Sequence, residues 1–246
     1  MAKIVAAENE DLADVSSSGG RGRGIFLNCF ISGVKRGKQN AGMMHCLMPG
    51  VDLKAQVPEN EKFLFYNKEE VFFVMMFMKR IRCAYERVPG KDFDQLSYFC
   101  WNPSSDENYP DTAKMEFIFA GALLDADLKS VSDPDEPDRT AFIYFRNKGT
   151  KCGPAFDFQN VIEEKTRELE PLSDGDETFE NMVVTPRRFI TKAYVDTVPN
   201  EQYKTVINVY RYELHRQLPD DMTAEIVERS KKWQGEFRKQ FDATTM

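Results

Sequence analysis

Histidine is almost missing from this 246-residue chain: His45 and His215 stand alone, each without a nucleophile or carboxylate partner close in sequence. That removes the commonest general acid–base group of neutral-pH catalysis. The strings G-x-S-x-G, G-x-x-x-x-G-K-[ST] and G-x-G-x-x-G are absent as well, so neither a serine-hydrolase elbow nor a nucleotide phosphate loop is encoded. Long apolar runs are missing too. The longest, Val71–Met78, has eight residues, against the ~20 that a bilayer-spanning helix needs. The first twenty residues hold one lysine followed by acids and no apolar core, so they read as an arm and not as a signal peptide. Paired cysteine spacing is also lacking. Cys29, Cys46, Cys83, Cys100 and Cys152 are odd in number with no C-x2-C among them, which predicts reduced, core-packed thiols in the cytoplasm. Cys29, His45 and Cys46 come nearest to a metal cluster, and they fall short of the four ligands that zinc takes. No metal and no cofactor is therefore expected, and no internal repeat of roughly 20–50 residues suggests a solenoid.

What the chain does have is unevenly placed positive charge. The net charge is −7, yet Arg21, Arg23, Lys35, Arg36 and Lys38 occupy one stretch without an acid. Further groups follow at Lys79, Arg80, Arg82, Arg87 and Lys91, at Arg146, Lys148 and Lys151, and at Arg187, Arg188 and Lys192. Each adjoins an aromatic and β-branched run that reads as a strand. Basic strand ends beside aromatic strands, on an acidic protein, form the electrostatic footprint of a module that holds a polyanion. The run GGRGRG at Gly19–Gly24 leads into no helix pattern, so it fits either a cationic tether that tracks phosphates or a soluble linker.

Strand patterns cover Gly24–Val34, Lys62–Tyr66, Val71–Val88, Leu96–Trp101, Met115–Leu124, Arg139–Arg146, Val183–Val195 and Gln202–Leu214, with turn signals such as Pro89-Gly90 and Asn102-Pro103 between them. In the last of these the apolar phase switches, which predicts a bulge near Val209–Tyr210. Helical periodicity is clear twice. Ala155–Leu169 places Phe158, Val161, Ile162, Thr166 and Leu169 on one side; Asp221–Phe241 places Ile226, Ser230, Trp233, Phe237 and Phe241 on one stripe. The fold class is accordingly mainly β (α+β): an OB-like β-barrel with helical additions and a C-terminal amphipathic helix. Residues 1–20 form a flexible arm and 21–246 a single domain, with acidic loops near 102–138 and 168–180. Those loops offer carboxylates to a divalent cation, but without the twelve-residue calcium-loop pattern, and solvated loops explain them.

Among the aromatics, Phe63, Phe65, Phe72, Val74, Phe117, Phe119 and Ile143 share one strand phase and are assigned to the core. Tyr66, Phe73, Tyr85, Trp101 and Tyr144 lie out of phase or beside basic strand ends and are candidate rings for base stacking. Arg21, Arg23, Lys35, Arg36, Lys79, Arg80, Arg82, Arg146, Lys148 and Lys151 are the candidate phosphate contacts.

Read in order, Phe63–Val88 (FLFYNKEEVFFVMMFMKRIRCAYERV), Tyr98–Pro110 (YFCWNPSSDENYP), Phe145–Phe158 (FRNKGTKCGPAFDF) and the closing Tyr203–Phe241 resemble tailed-bacteriophage proteins of OB-fold type that bind single-stranded DNA. The resemblance covers well under half of the chain. It implies a non-catalytic single-stranded DNA-binding protein of replication or recombination, located in the host-cell cytoplasm. Single-stranded DNA would be its ligand, with replication or recombination proteins or a second copy of the chain as further partners, and no membrane. Two features depart from such relatives. No cysteine lies between Cys100 and Cys152, where a small metal ribbon is often found, and the last segment is a basic amphipathic helix instead of an acidic tail. The competing classes are a phage structural or protein-interaction module and, third, a metal-dependent nuclease using the acidic loops.

Overall fold

The computed structural model describes residues 26–31, 42–48, 51, 56, 58–87, 89, 94–105, 108–134, 136–169, 184–200 and 204–243. The expected arm, most of the 168–180 acidic segment, and the cations Arg21, Arg23, Lys35 and Arg36 lie outside these residues. Nine strands form one sheet: β1 (Phe26–Ile31), β2 (Met44–Leu47), β3 (Phe63–Lys68), β4 (Glu70–Arg87), β5 (Asp94–Cys100), β6 (Lys114–Leu124), β7 (Phe142–Lys148), β8 (Phe189–Asn200) and β9 (Thr205–Gln217). Among the described residues the helices are the single turn α1 (Glu59–Lys62), α2 (Cys152–Glu168) and α3 (Asp220–Ala243). The strand order is β3-β2-β1-β7-β6-β4-β8-β9, with β5 paired to the far half of β4. β1 runs parallel to β7 and every other pair is antiparallel.

The class is mainly β with helices, as expected, but the sheet is not closed. Its path ends at β3 and β9, which do not pair among the described residues. Side chains bridge the gap instead. The Tyr210 hydroxyl on β9 donates to the Cys29 carbonyl on β1 at 2.8 Å, and a Cβ at Gly42, just before β2, would stand 3.0 Å from Asn208 Nδ2 on β9. The sheet therefore curls until its distant strands touch without sharing a ladder.

β4 is the spine. Val71, Phe73 and Met75 join the core on the concave side with Phe117, Phe119, Phe145, Tyr210, Tyr212 and the α2 residues Phe158 and Ile162. Val74, Met76, Phe77 and Ile81 join a second core on the other side, with Phe26, Ile118, Phe142 and the α3 residues Ile226, Trp233 and Phe237. Both phases of the strand are thus buried, which corrects the assignment of one phase to the core and the other to solvent. Met75 faces Gly121 and Phe77 faces Ala120, so Met76 has no partner on β6. Arg187, 6% exposed, donates its Nε to the Met76 carbonyl at 2.8 Å. Burial lowers that guanidinium to about 10.

The last basic group is spent the same way. Arg188 is buried and meets Asp220 at the start of α3 at 3.2 Å, while Lys192 ties Glu70 of β4 (3.3 Å) to Glu213 of β9 (3.0 Å). These cations hold strands together and do not form a basic edge. The bulge is also displaced: pairing of β8 with β9 is continuous through Val209 and Tyr210, and the register shifts between Ile190 and Thr191.

α3 begins one residue earlier than its pattern predicts, with Asp220 and Asp221 in the first turn, where the helix dipole favours negative charge. Ile226, Ser230, Trp233 and Phe237 are buried against the chain's own sheet, and the Phe241 side chain lies outside the described residues. On α2, Phe158, Ile162 and Thr166 are buried, but Val161 is exposed. In the 102–138 stretch, the Asp125 carboxylate accepts from the Asp127 and Lys129 amides, both at 2.9 Å. That is an Asx turn, so this acid closes a loop.

Candidate nucleic-acid interface

β-strand alternation divides the candidate cations of β4 and β7 between the two faces of the sheet. Lys79 of β4 and Arg146 and Lys148 of β7 lie on the α3 side; Arg80 and Arg82 of β4 lie on the α2 side, and Lys151 sits over Tyr210 at 5.3 Å.

On the α3 side the focus is Tyr85, half-buried near the end of β4. Lys148 Nζ lies 5.0 Å and Arg146 Cζ 5.2 Å from its ring centroid, within the range of cation–π attraction. The Arg146 guanidinium also donates to the Tyr85 hydroxyl and, at 3.5 Å, to Cys83 Sγ. Its Nε meets Glu116 Oε2 at 2.5 Å. Lys79 donates to Asn102 Oδ1 at 2.8 Å and lies over Trp101 at 5.6 Å. Burial, and then the nearby Arg238 of α3, lower the Lys79 ammonium from its usual value. Like charges therefore converge here, and Lys148 itself is exposed.

Glu116 was not foreseen as part of this cluster. It is 2% exposed, the one charged residue inside the apolar run Met115–Leu124, and that isolation is the sequence signal that marks it. Burial raises its carboxyl to about 7, against the pull of Lys148 toward the ionised form. A native carboxyl raised above its unfolded value binds its proton more tightly when folded. Its contribution to stability is complete below about pH 4.3 and is lost as pH rises through about 7. Wild type should accordingly lose on the order of 3 kcal/mol relative to Glu116→Gln between pH 4.5 and 8, read by urea titration at each pH. If wild type instead gains stability over that interval, the Arg146 pair outweighs burial.

The candidate rings fare unevenly. Phe73 is wholly buried against Phe145 (5.1 Å between centroids), and Trp101 is 8% exposed between Phe99 and Phe237. Neither offers a face to a base, so both are corrected to core. Tyr144 packs edge-on against Phe237 at 5.1 Å, and burial raises its hydroxyl far above the usual tyrosine value. Tyr66 is half-buried on the edge strand β3, packed at a tilt against His45 (4.7 Å) and Phe63 (4.8 Å), and is remote from these cations in strand order. Lys79 lies over the buried Trp101, whereas Tyr85 is half-exposed with two candidate cations, Arg146 and Lys148, beside its ring. No family model matches the chain, and no curated protein or solved structure is significantly similar to it.

Proposed function

We propose that the chain is a non-catalytic binder of single-stranded DNA, with the strand lying across the cationic ends of β4 and β7 and a base stacked on Tyr85. The observation that carries this reading is the placing of two cations, Arg146 and Lys148, on one half-exposed tyrosine ring. Such a ring offers sequence-tolerant stacking while the cations meet phosphate. The finer parts of the proposal are an OB-like descent, for which the curled sheet is the support, and a place among phage replication or recombination proteins in the host cytoplasm. One observation favours the competing reading, a structural or protein-interaction module: Arg187, Arg188 and Lys192 are consumed inside the fold.

The two readings separate in an anisotropy titration of a labelled oligothymidylate against increasing salt. With Lys79, Arg146 and Lys148 engaged, log K should fall with log salt at a slope of about −2, and Lys148→Ala should flatten it by about 0.7. Duplex of the same length should bind more weakly; an RNA oligonucleotide reports the sugar preference. Absence of binding at ~50 mM salt, or a salt-independent complex, overturns the proposal.

A further inference from the structure

Only Val161 and Val206, besides Tyr109 and Phe156, are large hydrophobic residues exposed among the described positions. The two aromatics share an unusual setting. Arg82 Cζ lies 3.4 Å from the Tyr109 ring centroid, and Arg80 Cζ lies 5.3 Å from that of Phe156. Tyr109 and Phe156 remain 45% and 43% exposed, so each ring is backed by a guanidinium yet presents surface to solvent. Phe156 is held further by an edge-on contact with Phe117 at 4.6 Å, and Arg80 donates to the Gln159 side chain of α2. Among the described residues neither arginine makes an ion pair, and Arg82 Nη1 is buried without a hydrogen-bond acceptor.

We propose that Tyr109 and Phe156, backed by Arg82 and Arg80, form a second nucleotide-binding platform on the α2 face, taking two unstacked nucleotides of a single strand. The inference rests on the reading of the chain as a single-strand binder and adds a site with its own selectivity. The two rings belong to different elements, the loop before β6 and helix α2, and each is exposed, so each can take one base of its own. A base laid on the outer face of each ring brings its phosphate toward an arginine pair that has no carboxylate partner among the described residues.

The test titrates the full chain with the same labelled oligothymidylate, comparing wild type with Tyr109→Ala, Phe156→Ala, Tyr109→Phe, Arg82→Ala and Lys148→Ala, each checked for folding by its thermal melt. Loss of either ring should weaken binding by about 5- to 150-fold at unchanged salt slope, the range that base–aromatic stacking supplies. Tyr109→Phe should keep wild-type affinity because the ring is retained. Arg82→Ala should both weaken binding and flatten the salt slope by about 0.7. If Lys148→Ala weakens binding while both ring deletions leave it unchanged, this platform is refuted and the Tyr85 site stands. If the ring deletions matter and Lys148→Ala does not, the platform stands and the Tyr85 site is refuted. Failure of the wild-type chain to bind, or loss of affinity in Tyr109→Phe equal to that in Tyr109→Ala, overturns the platform as well.

Discussion

Gly121→Ala is expected to abolish folding, or to cost about 3 kcal/mol or more, although it adds a single methyl group. A Cβ built at Gly121 stands 2.0 Å from the Val74 carbonyl oxygen and 3.0 Å from Met75 Cα. Both are backbone atoms of β4, so no side-chain rotation relieves the clash and the central β4–β6 ladder has to open. The requirement comes from the register shift beside it, where Met75 faces Gly121 and Met76 is left without a partner. Gly235→Ala is the matched control. Gly235 lies inside α3 with nothing within 4 Å of its virtual Cβ, so alanine there should stabilise the chain by about 0.5–1 kcal/mol. Denaturant titrations of the two variants should shift in opposite directions. A Gly121→Ala protein as stable as wild type would mean that the two strands are not packed this closely.

Phe237→Ala should destabilise by about 3–5 kcal/mol. The ring is fully buried and meets Phe26 and Phe77 at 5.1 Å, Tyr144 at 5.1 Å and Trp101 at 6.2 Å. These partners come from four separate segments, so truncation opens a cavity that no one element can close. For a domain of this length each kcal/mol moves the melting temperature by about 2–4 °C, which makes a drop of roughly 10 °C the expected reading. Molar mass by light scattering should stay unchanged, because the helix covers its own sheet. A stable variant with altered mass would instead make the stripe an interface between copies.

The elements themselves were largely legible. Strand alternation and turn residues placed β1, β3–β7 and β9 to within a few positions, and the three-and-four spacing placed α2 and α3; the strand expected at Val183–Val195 lies instead at Phe189–Asn200, after a 3-10 turn over Thr185–Arg188 that Pro186 favours. β2 was missed because Met-His-Cys-Leu is short and has no alternation to detect. Layering was harder to read. In β4 and β6 both phases are apolar, which signals burial on both sides but not which helix covers each, so Phe73 looked available when it is central to the concave core. Charge was misleading for a related reason: a cation in a sequence carries no label for its partner. Arg187 serves the Met76 carbonyl, 111 positions away, and Arg188 serves Asp220, 32 positions away. Tyr109 and Phe156 carry no local sequence signal, because they sit in a loop and on the polar side of a helix pattern.

The contact between Tyr210 and Cys29 sets a timetable for making the protein. The two residues are 181 positions apart, and a ribosome adds about 5–20 residues per second. The carbonyl on β1 is therefore synthesised on the order of ten to forty seconds before its donor on β9 exists. β7, the parallel neighbour of β1, also arrives late, after β4 and β6 have been made. Through that interval Phe26 and Leu27 meet only part of their core: Phe77 and Phe142 are in place for Phe26, but Trp233, Phe237, Tyr210 and Tyr212 are still to come. Slowing translation should lengthen this exposure, and a nascent-chain protease assay would show the N-terminal strands becoming resistant only after β9 has emerged.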